Sequence, residues 1–279
     1  MNRFINFLAL LLLVFFTACT DVIDVEVPSE EPRLVIEASI NWEKGTSGSD
    51  QTVYLSKSTP FFETNGNVPV SGASVVITNT SDGSFFEFND QNDGSYTTSN
   101  FVPVLNDNYT LEVVSEGETY IAQETFIPVV PILEVYQSTD KFLPEVLEVN
   151  FDFLDPAEEE NYYYIKFKEQ ADSFPRLLDL KDEFVNGNLI SVFNERQENE
   201  DINQVEYAPG DMVNMELIGV SKRYYEYIQL LISQSESGGP FDTTPVALRG
   251  NCTNQNDPNN FAYGYFRLTE VAKASYTFE

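Results

Sequence analysis

Short runs of alternating apolar and polar residues recur along most of this chain, separated by turn residues. In the first half they cover Arg33–Asn41, Thr52–Ser56, Ala73–Thr78, Ser84–Phe88, Gly94–Thr98, Tyr109–Ser115 and Thr119–Phe126. A period of two sends one side of each run to a core and the other to water, the pattern of half-buried strands. The connectors Ser81-Asp82-Gly83, Asn92-Asp93-Gly94 and Glu116-Gly117-Glu118 hold residues that tolerate positive φ. They read as tight turns between paired strands. Seven short strands at this spacing predict an antiparallel β-sandwich.

Pro128 and Pro131 interrupt the rhythm. Proline cannot donate to a strand ladder and restricts the residue before it, so the stretch Ile127–Ile132 ends one sheet and redirects the chain. Beyond it, Leu133–Tyr136, Val146–Phe153, Tyr162–Lys168, Leu189–Glu195 and Met212–Val220 read as strands, with turns at Asn186-Gly187 and Pro209-Gly210-Asp211. The period then changes. Ser221 is placed to cap a helix over 221–234, in which Tyr224, Tyr227, Ile228, Leu231 and Ile232 share one face. Lys222 and Arg223 oppose the helix dipole in its first turn. Gly238-Gly239-Pro240 closes the segment, and Phe261–Leu268 and Val271–Phe278 predict a final strand pair. The expected domains are a β-sandwich over 33–127 and a second β-rich domain, with one amphipathic helix, over 128–279.

Residues 1–18 follow another pattern. Arg3 precedes an apolar run from Phe4 to Phe16, and the small residues Thr17 and Ala18 stand before Cys19. That is the layout of an export signal. Small residues directly before a cysteine match a bacterial lipoprotein signal, which is cut before the cysteine so that its thiol and new amino group can be acylated. Phe16 stands where leucine is usual, and an ordinary secretory signal is the competing reading. The run is short for a ~30 Å hydrocarbon core, which needs about 20 residues, and no later stretch approaches that length without charges. Several acyl chains on Cys19 would anchor the protein as a single chain would not. Residues 19–32, rich in Asp, Glu and Pro, read as an acidic tether. Acidic residues close behind the cysteine also resemble the export signals that carry Bacteroidota lipoproteins to the outer face of the outer membrane. A solvated linker explains them equally well.

Composition adds the sign of the field. The 279 residues include 45 acidic and 15 basic ones, for a formal charge of −30. A field of that sign repels nucleic-acid phosphates, so DNA and RNA are not expected partners. It also repels an anionic membrane surface, which leaves membrane attachment to lipid on Cys19. With Cys19 acylated, Cys252 has no partner for an intrachain disulfide. Cys252 lies in the polar stretch Arg249–Asn260, where a lone thiol could be reactive but has no histidine to activate it, so it reads as incidental. The chain contains no histidine at all. That removes Ser-His-Asp and Cys-His nucleophiles and His-based zinc or copper sites. Carboxylate chemistry, such as a glycosidase pair, or a Lys-based site is what remains.

Two resemblances extend this picture. Val70-Ser71-Gly72-Ala73-Ser74-Val75, Asn92-Asp93-Gly94-Ser95-Tyr96 and Tyr109-Thr110-Leu111-Glu112-Val113 resemble the carboxypeptidase-regulatory-like, or prealbumin-like, β-sandwiches. This implies an Ig-like/prealbumin-like N-terminal half and says little about function. The mature chain as a whole resembles the Bacteroidota lipoproteins known as domain of unknown function 4249. The pieces that carry it are Cys19 with its acidic tail, Pro32–Ala38, Asp155-Pro156, Asn161-Tyr162-Tyr163 and Phe184-Val185-Asn186-Gly187. Pro209-Gly210-Asp211, Tyr224–Ile228 and Tyr263-Gly264-Tyr265-Phe266 complete the set. The polar stretch around Cys252 departs from the glycine-rich approach to the final strand seen in that family. The resemblance implies an outer-membrane lipoprotein of a kind often encoded beside TonB-dependent transporters, with either face of the outer membrane open to it. It carries over no catalytic residue.

Phe61 and Phe62 follow Thr59-Pro60 in an expected loop, and Phe241 follows Gly238-Gly239-Pro240. These three are the candidate interaction surface, since exposed rings can stack on a ligand or fill a partner's groove. The remaining aromatics read as β-core. The loop Asn89–Gly94 offers oxygen ligands without EF-hand spacing or its terminal glutamate, so it reads as a turn, and no metal or cofactor is expected. The expected function is therefore that of a non-enzymatic accessory or ligand-capture subunit. A structural or adhesive surface protein is the alternative, and a carboxylate-dependent glycosidase a more distant one.

Overall fold

In the computed structural model, which describes residues 31–60, 66, 68–138, 146–157, 159–170, 172, 174–199, 204–236 and 248–279, each alternating run of the first half is a strand. These are β1 (Leu34–Glu43), β2 (Gln51–Lys57), β4 (Ser74–Asn79), β5 (Phe85–Asp90), β6 (Ser95–Thr98), β7 (Asn108–Ser115) and β8 (Glu118–Thr125), with a two-residue β3 (Val68–Pro69) beside β2. The turn chemistry is realised where it was expected. Glu116 and Gly117 have φ of 54° and 85° between β7 and β8, and Asn92 and Gly94 have 61° and 86° between β5 and β6. Pro32–Glu279 forms one unit by its internal contacts. Residues 1–30, with Cys19, lie outside the described residues.

The second half supplies β9 (Glu134–Gln137), β10 (Glu148–Leu154), β11 (Tyr162–Glu169), β12 (Arg176–Lys181), β13 (Leu189–Glu195), β14 (Met212–Gly219), helix α1 (Lys222–Glu236), β15 (Thr253–Asn254) and β16 (Tyr263–Thr277). Among the described residues, a mainly β chain with one helix is as expected. The strands form one 13-stranded mixed sheet in the order β12-β11-β14-β16-β1-β2-β6-β5-β4-β7-β8-β15, with β3 on β2, and a three-stranded sheet β13-β10-β9. Strand β12 was not legible in advance. Its residues Arg176-Leu177-Leu178-Asp179-Leu180-Lys181 do not alternate, and all but Arg176 are half-buried.

The central join is parallel. Strand β1 pairs with β16 from Val35↔Tyr263 to Glu43↔Val271. Two glycines permit it. Gly264 has φ +86°, and a methyl group there would overlap the Ile36 carbonyl. A methyl group on Gly250 would overlap the Gly264 carbonyl. The backbones of three segments therefore meet at a distance that only glycine allows.

The expected strand pair near the C-terminus is instead the single strand β16. Polar Thr269 and Glu270 looked like a break, yet both are buried. Glu270 Oε2 accepts from Lys44 Nζ at 2.8 Å and from the Val129 amide at 3.0 Å, and the Thr269 hydroxyl donates to the Gly219 carbonyl. Partnered in this way, they can stay inside the sheet. Ile127 bridges to Thr269, so the proline-bearing segment crosses the shared strand.

Three apolar clusters pack against this frame. The first lies between the faces of β1–β8 and includes Tyr96, Phe101, Tyr109, Phe126 and Phe266. The second joins the three-stranded sheet to β11, β14 and the end of β16 through Phe151, Phe153, Phe167 and Met215. The third lies under α1. The Ser221 hydroxyl accepts from the Tyr224 amide at 3.2 Å, as an N-cap should. Tyr224 and Ile228 are buried, but Leu231 is 40% exposed. The buried face is narrower than the apolar periodicity suggested: it runs through Tyr224, Ile228 and half-buried Ile232 and leaves Leu231 to one side. Among the described residues, no helix is long and apolar enough to cross a membrane.

Gly264→Ala combines a strained positive φ with a backbone overlap, so it should cost about 3 kcal/mol and lower the melting temperature by roughly 6–12 °C. Gly45→Ala, with φ +84° and nothing within 4 Å, should lose only part of that. Thermal melts followed by circular dichroism compare the two; equal losses would refute the close-approach argument.

Candidate binding groove

A groove of about 600 Å³ lies between the first residues of β12 and the last residues of β13. The two strands belong to different sheets, and each is the outermost strand of its own. Phe167 and Tyr207 form the inner wall, and Phe174 and Phe193 stand at the mouth, 84% and 46% exposed. Arg176 spans the gap: its Nη1 donates to Asn194 Oδ1 at 2.6 Å and to the Glu195 carbonyl at 3.4 Å.

The ionisable groups here are mostly committed to each other. Arg196 donates one nitrogen to Glu169 and another to Asp172, and its guanidinium lies 5.0 Å over the Tyr207 ring. Asp172 also accepts from the Glu169 amide at 3.0 Å. The Tyr207 hydroxyl accepts from Asn194 Nδ2 at 2.5 Å, and burial raises the tyrosine's pKa. Glu195 differs: its Oε2 is buried and has no hydrogen-bond partner. A pair of carboxylates shared by one arginine is poorly suited to glycosidic acid/base work, which needs one acid and one free carboxylate across a cleft. Exposed rings, an arginine bridge and an unused acceptor suit binding.

The chain's other polar clusters hold structure together. Asp155, from the Asp-Pro pair, accepts from the Tyr163 hydroxyl at 2.6 Å and the Gly187 amide at 2.9 Å. Asp182 accepts from the Asn161 amide at 2.8 Å. Three of the segments that carry the sequence resemblance therefore meet in one buried knot. On the other side of the sheet, Glu124 is buried, accepting from the Tyr265 hydroxyl at 2.8 Å and Asn251 Nδ2 at 3.3 Å. Asn251 also bonds the Phe266 backbone on both its oxygen and nitrogen, at 2.8 Å each. This contact draws the polar stretch inward. Cys252 is consequently 3% exposed, part of the first apolar cluster, and burial pushes its thiol pKa up to about 12. The thiol is a packing group, with neighbours that are polar in sequence but apolar in space.

In the Asn89–Gly94 loop, Asp90 accepts from the Gly72 and Asn92 amides, and Asp93 from the Ser95 amide and hydroxyl. The bonds from Asn92 and Ser95 are turn contacts, and the bond from Gly72 ties the loop to the residues before β4. Among the described residues, no cluster of three or more acidic or cysteine side chains could hold a metal ion. Cys19, Phe61, Phe62 and Phe241 all lie outside the described residues. The groove residues were not anticipated. One signal was present: Leu189-Ile190-Ser191-Val192-Phe193 places apolar side chains on both faces of its strand, more than one core can use.

Burial raises the Glu124 pKa, against smaller opposing effects of Tyr265, Ser221, Arg223 and Asn251. The folded state thus favours the protonated acid, and ionisation opposes folding once the pH passes the unfolded carboxyl value. Glu124→Gln should match the wild type below about pH 4 and become progressively more stable than it above that, levelling off past the folded pKa. Paired melts from pH 4 to 8 measure this; a difference that does not change with pH would refute it. Cys252 should resist a thiol reagent in the native protein and react at once in denaturant. Prompt native labelling would place the thiol outside the core.

Among solved structures, the chain is similar to a two fibronectin type-III domain segment from chicken tenascin, with 13% identity, 69% of this chain and 92% of that one covered, and a TM-score of 0.22. It is also similar to a DUF4785 family protein from Legionella pneumophila, with 11% identity, 67% and 51% covered, and a TM-score of 0.27. No curated protein matches the chain. A family model described as Domain of unknown function (DUF4249) matches residues 20–275.

Proposed function

The chain belongs to the DUF4249 family, and from that premise we propose that it is a non-enzymatic outer-membrane lipoprotein that captures a ligand or partner for a TonB-dependent nutrient transporter. Lipid on Cys19 is its membrane anchor, and the acidic segment behind it is the tether. The observation that carries the capture role is the groove between β12 and β13. Its aromatic residues Phe174 and Phe193 face solvent while Arg196, Glu169 and Asp172 are held in ion pairs. A surface of that kind gains by burying its rings against another molecule. The strong negative charge supports lipid rather than electrostatic attachment.

The test is purification of the tagged chain from detergent-solubilised outer membranes. A transporter subunit should come with the wild type, and Cys19→Ser should leave the membrane fraction. Phe174→Ala with Phe193→Ala should weaken recovery of the partner without lowering the melting temperature, since both rings are exposed. Recovery as a free monomer only, with nutrient uptake unchanged in a deletion strain that no longer attaches to surfaces, would favour the adhesive alternative.

A further inference from the structure

Among the described residues, no strand pairs with the outer edge of β13. The Asp155 amide donates to the Asn188 carbonyl, so Asn188 points its backbone toward the β10 side. With a period of two, Ile190, Val192 and Asn194 bond to β10, while Leu189, Ser191, Phe193 and Glu195 turn theirs to the other side. The Arg176 bond to the Glu195 carbonyl fits that assignment. Among the described residues, strand β13 pairs with β10 alone. The backbone groups of Leu189, Ser191 and Phe193 therefore form a free edge, flanked by exposed Leu189 and Phe193 side chains and by Leu154 across from Leu189. Natural edges are usually guarded by lysine, proline or a bulge. This one has none of these between Leu189 and Glu195.

We propose that an extended basic peptide segment of a partner adds to this edge as a further strand, with its end entering the groove at Phe193. Strand addition draws affinity from main-chain bonds and selectivity from alternate side chains. Charge selects the occupant. The chain carries −30, and Glu195 keeps a buried carboxylate oxygen without a donor beside the edge. A lysine or arginine on the peptide would supply that donor. A second copy of this chain would bring the same negative charge to the same edge and be repelled. The inference rests on the capture reading and gives it a ligand class.

The probe is an eight-residue peptide of alternating valine and lysine, followed by fluorescence anisotropy. Two comparison peptides replace every lysine with glutamate, or carry N-methyl groups on alternate amides, which keeps the charge but prevents pairing. The lysine peptide should bind and the other two should not. Ser191→Pro removes an edge N–H that β10 does not use, and losing that bond should weaken binding about tenfold. Ser191→Ala, which keeps the N–H, should bind normally, and melts of both variants check folding. Equal binding of the N-methylated peptide, or an unchanged affinity in a folded Ser191→Pro, overturns strand addition. A concentration-dependent dimer abolished by Ser191→Pro, with no peptide bound, assigns the edge to a second copy and also overturns it. A chain that co-purifies with a transporter but ignores the peptide loses this inference and keeps the capture role. Peptide binding without a transporter does the reverse.

Discussion

The parallel pairing of β1 with β16 is the constraint on which the other parts depend. It joins strands from the two ends of the described chain, and Lys44 and Glu270, 226 residues apart, close its far end with an ion pair. Strand β16 then serves three clusters in turn. Phe266 and Leu268 enter the first, Tyr265 and Val271 the third, and Ala272 and Phe278, just past the strand's end, the second. One strand seen from two faces thus links the β1–β8 layer to the helix-covered part and to the small sheet. Gly264 and Gly250 set how closely the backbones approach. Without that approach the shared strand could not be buried on both sides.

This join has a consequence at the periphery. The large sheet runs out at β12 and the small sheet at β13, and the second apolar cluster holds the two together without pairing their edges. Arg176 reaches across where a strand would otherwise lie. The groove is a by-product of two sheets sharing one core but not one ladder. Its aromatic mouth and its open backbone edge arise from the same arrangement.

Much of the strand pattern was legible. Leu189–Glu195 matches its strand residue for residue, and the Asn92 and Gly117 turns have the φ values their residue types allow. The Ser221 cap also stands where the change of period put it. Two stretches depart from the rule that polar residues mark surface. Thr269 and Glu270 are buried because a carbonyl, an amide and a lysine meet them there. Cys252 is buried because Asn251 pins its neighbour to β16. Partners that remove the cost of burying a polar group come from distant parts of the chain, and a local window does not contain them.

By itself the sequence determined most of the strands, where the chain turns, where α1 begins, and that histidine chemistry is absent. All of these follow from local periodicity, turn preference and residue inventory. Only the tertiary structure decided that β1 lies parallel to β16, that β12 exists, and that the outer strands of two sheets flank a groove. A period of two says which face of a strand is buried and not which strand lies beside it. That choice is made by contacts between residues far apart in the chain, such as Ile36 with Gly264, and the binding groove depends on it.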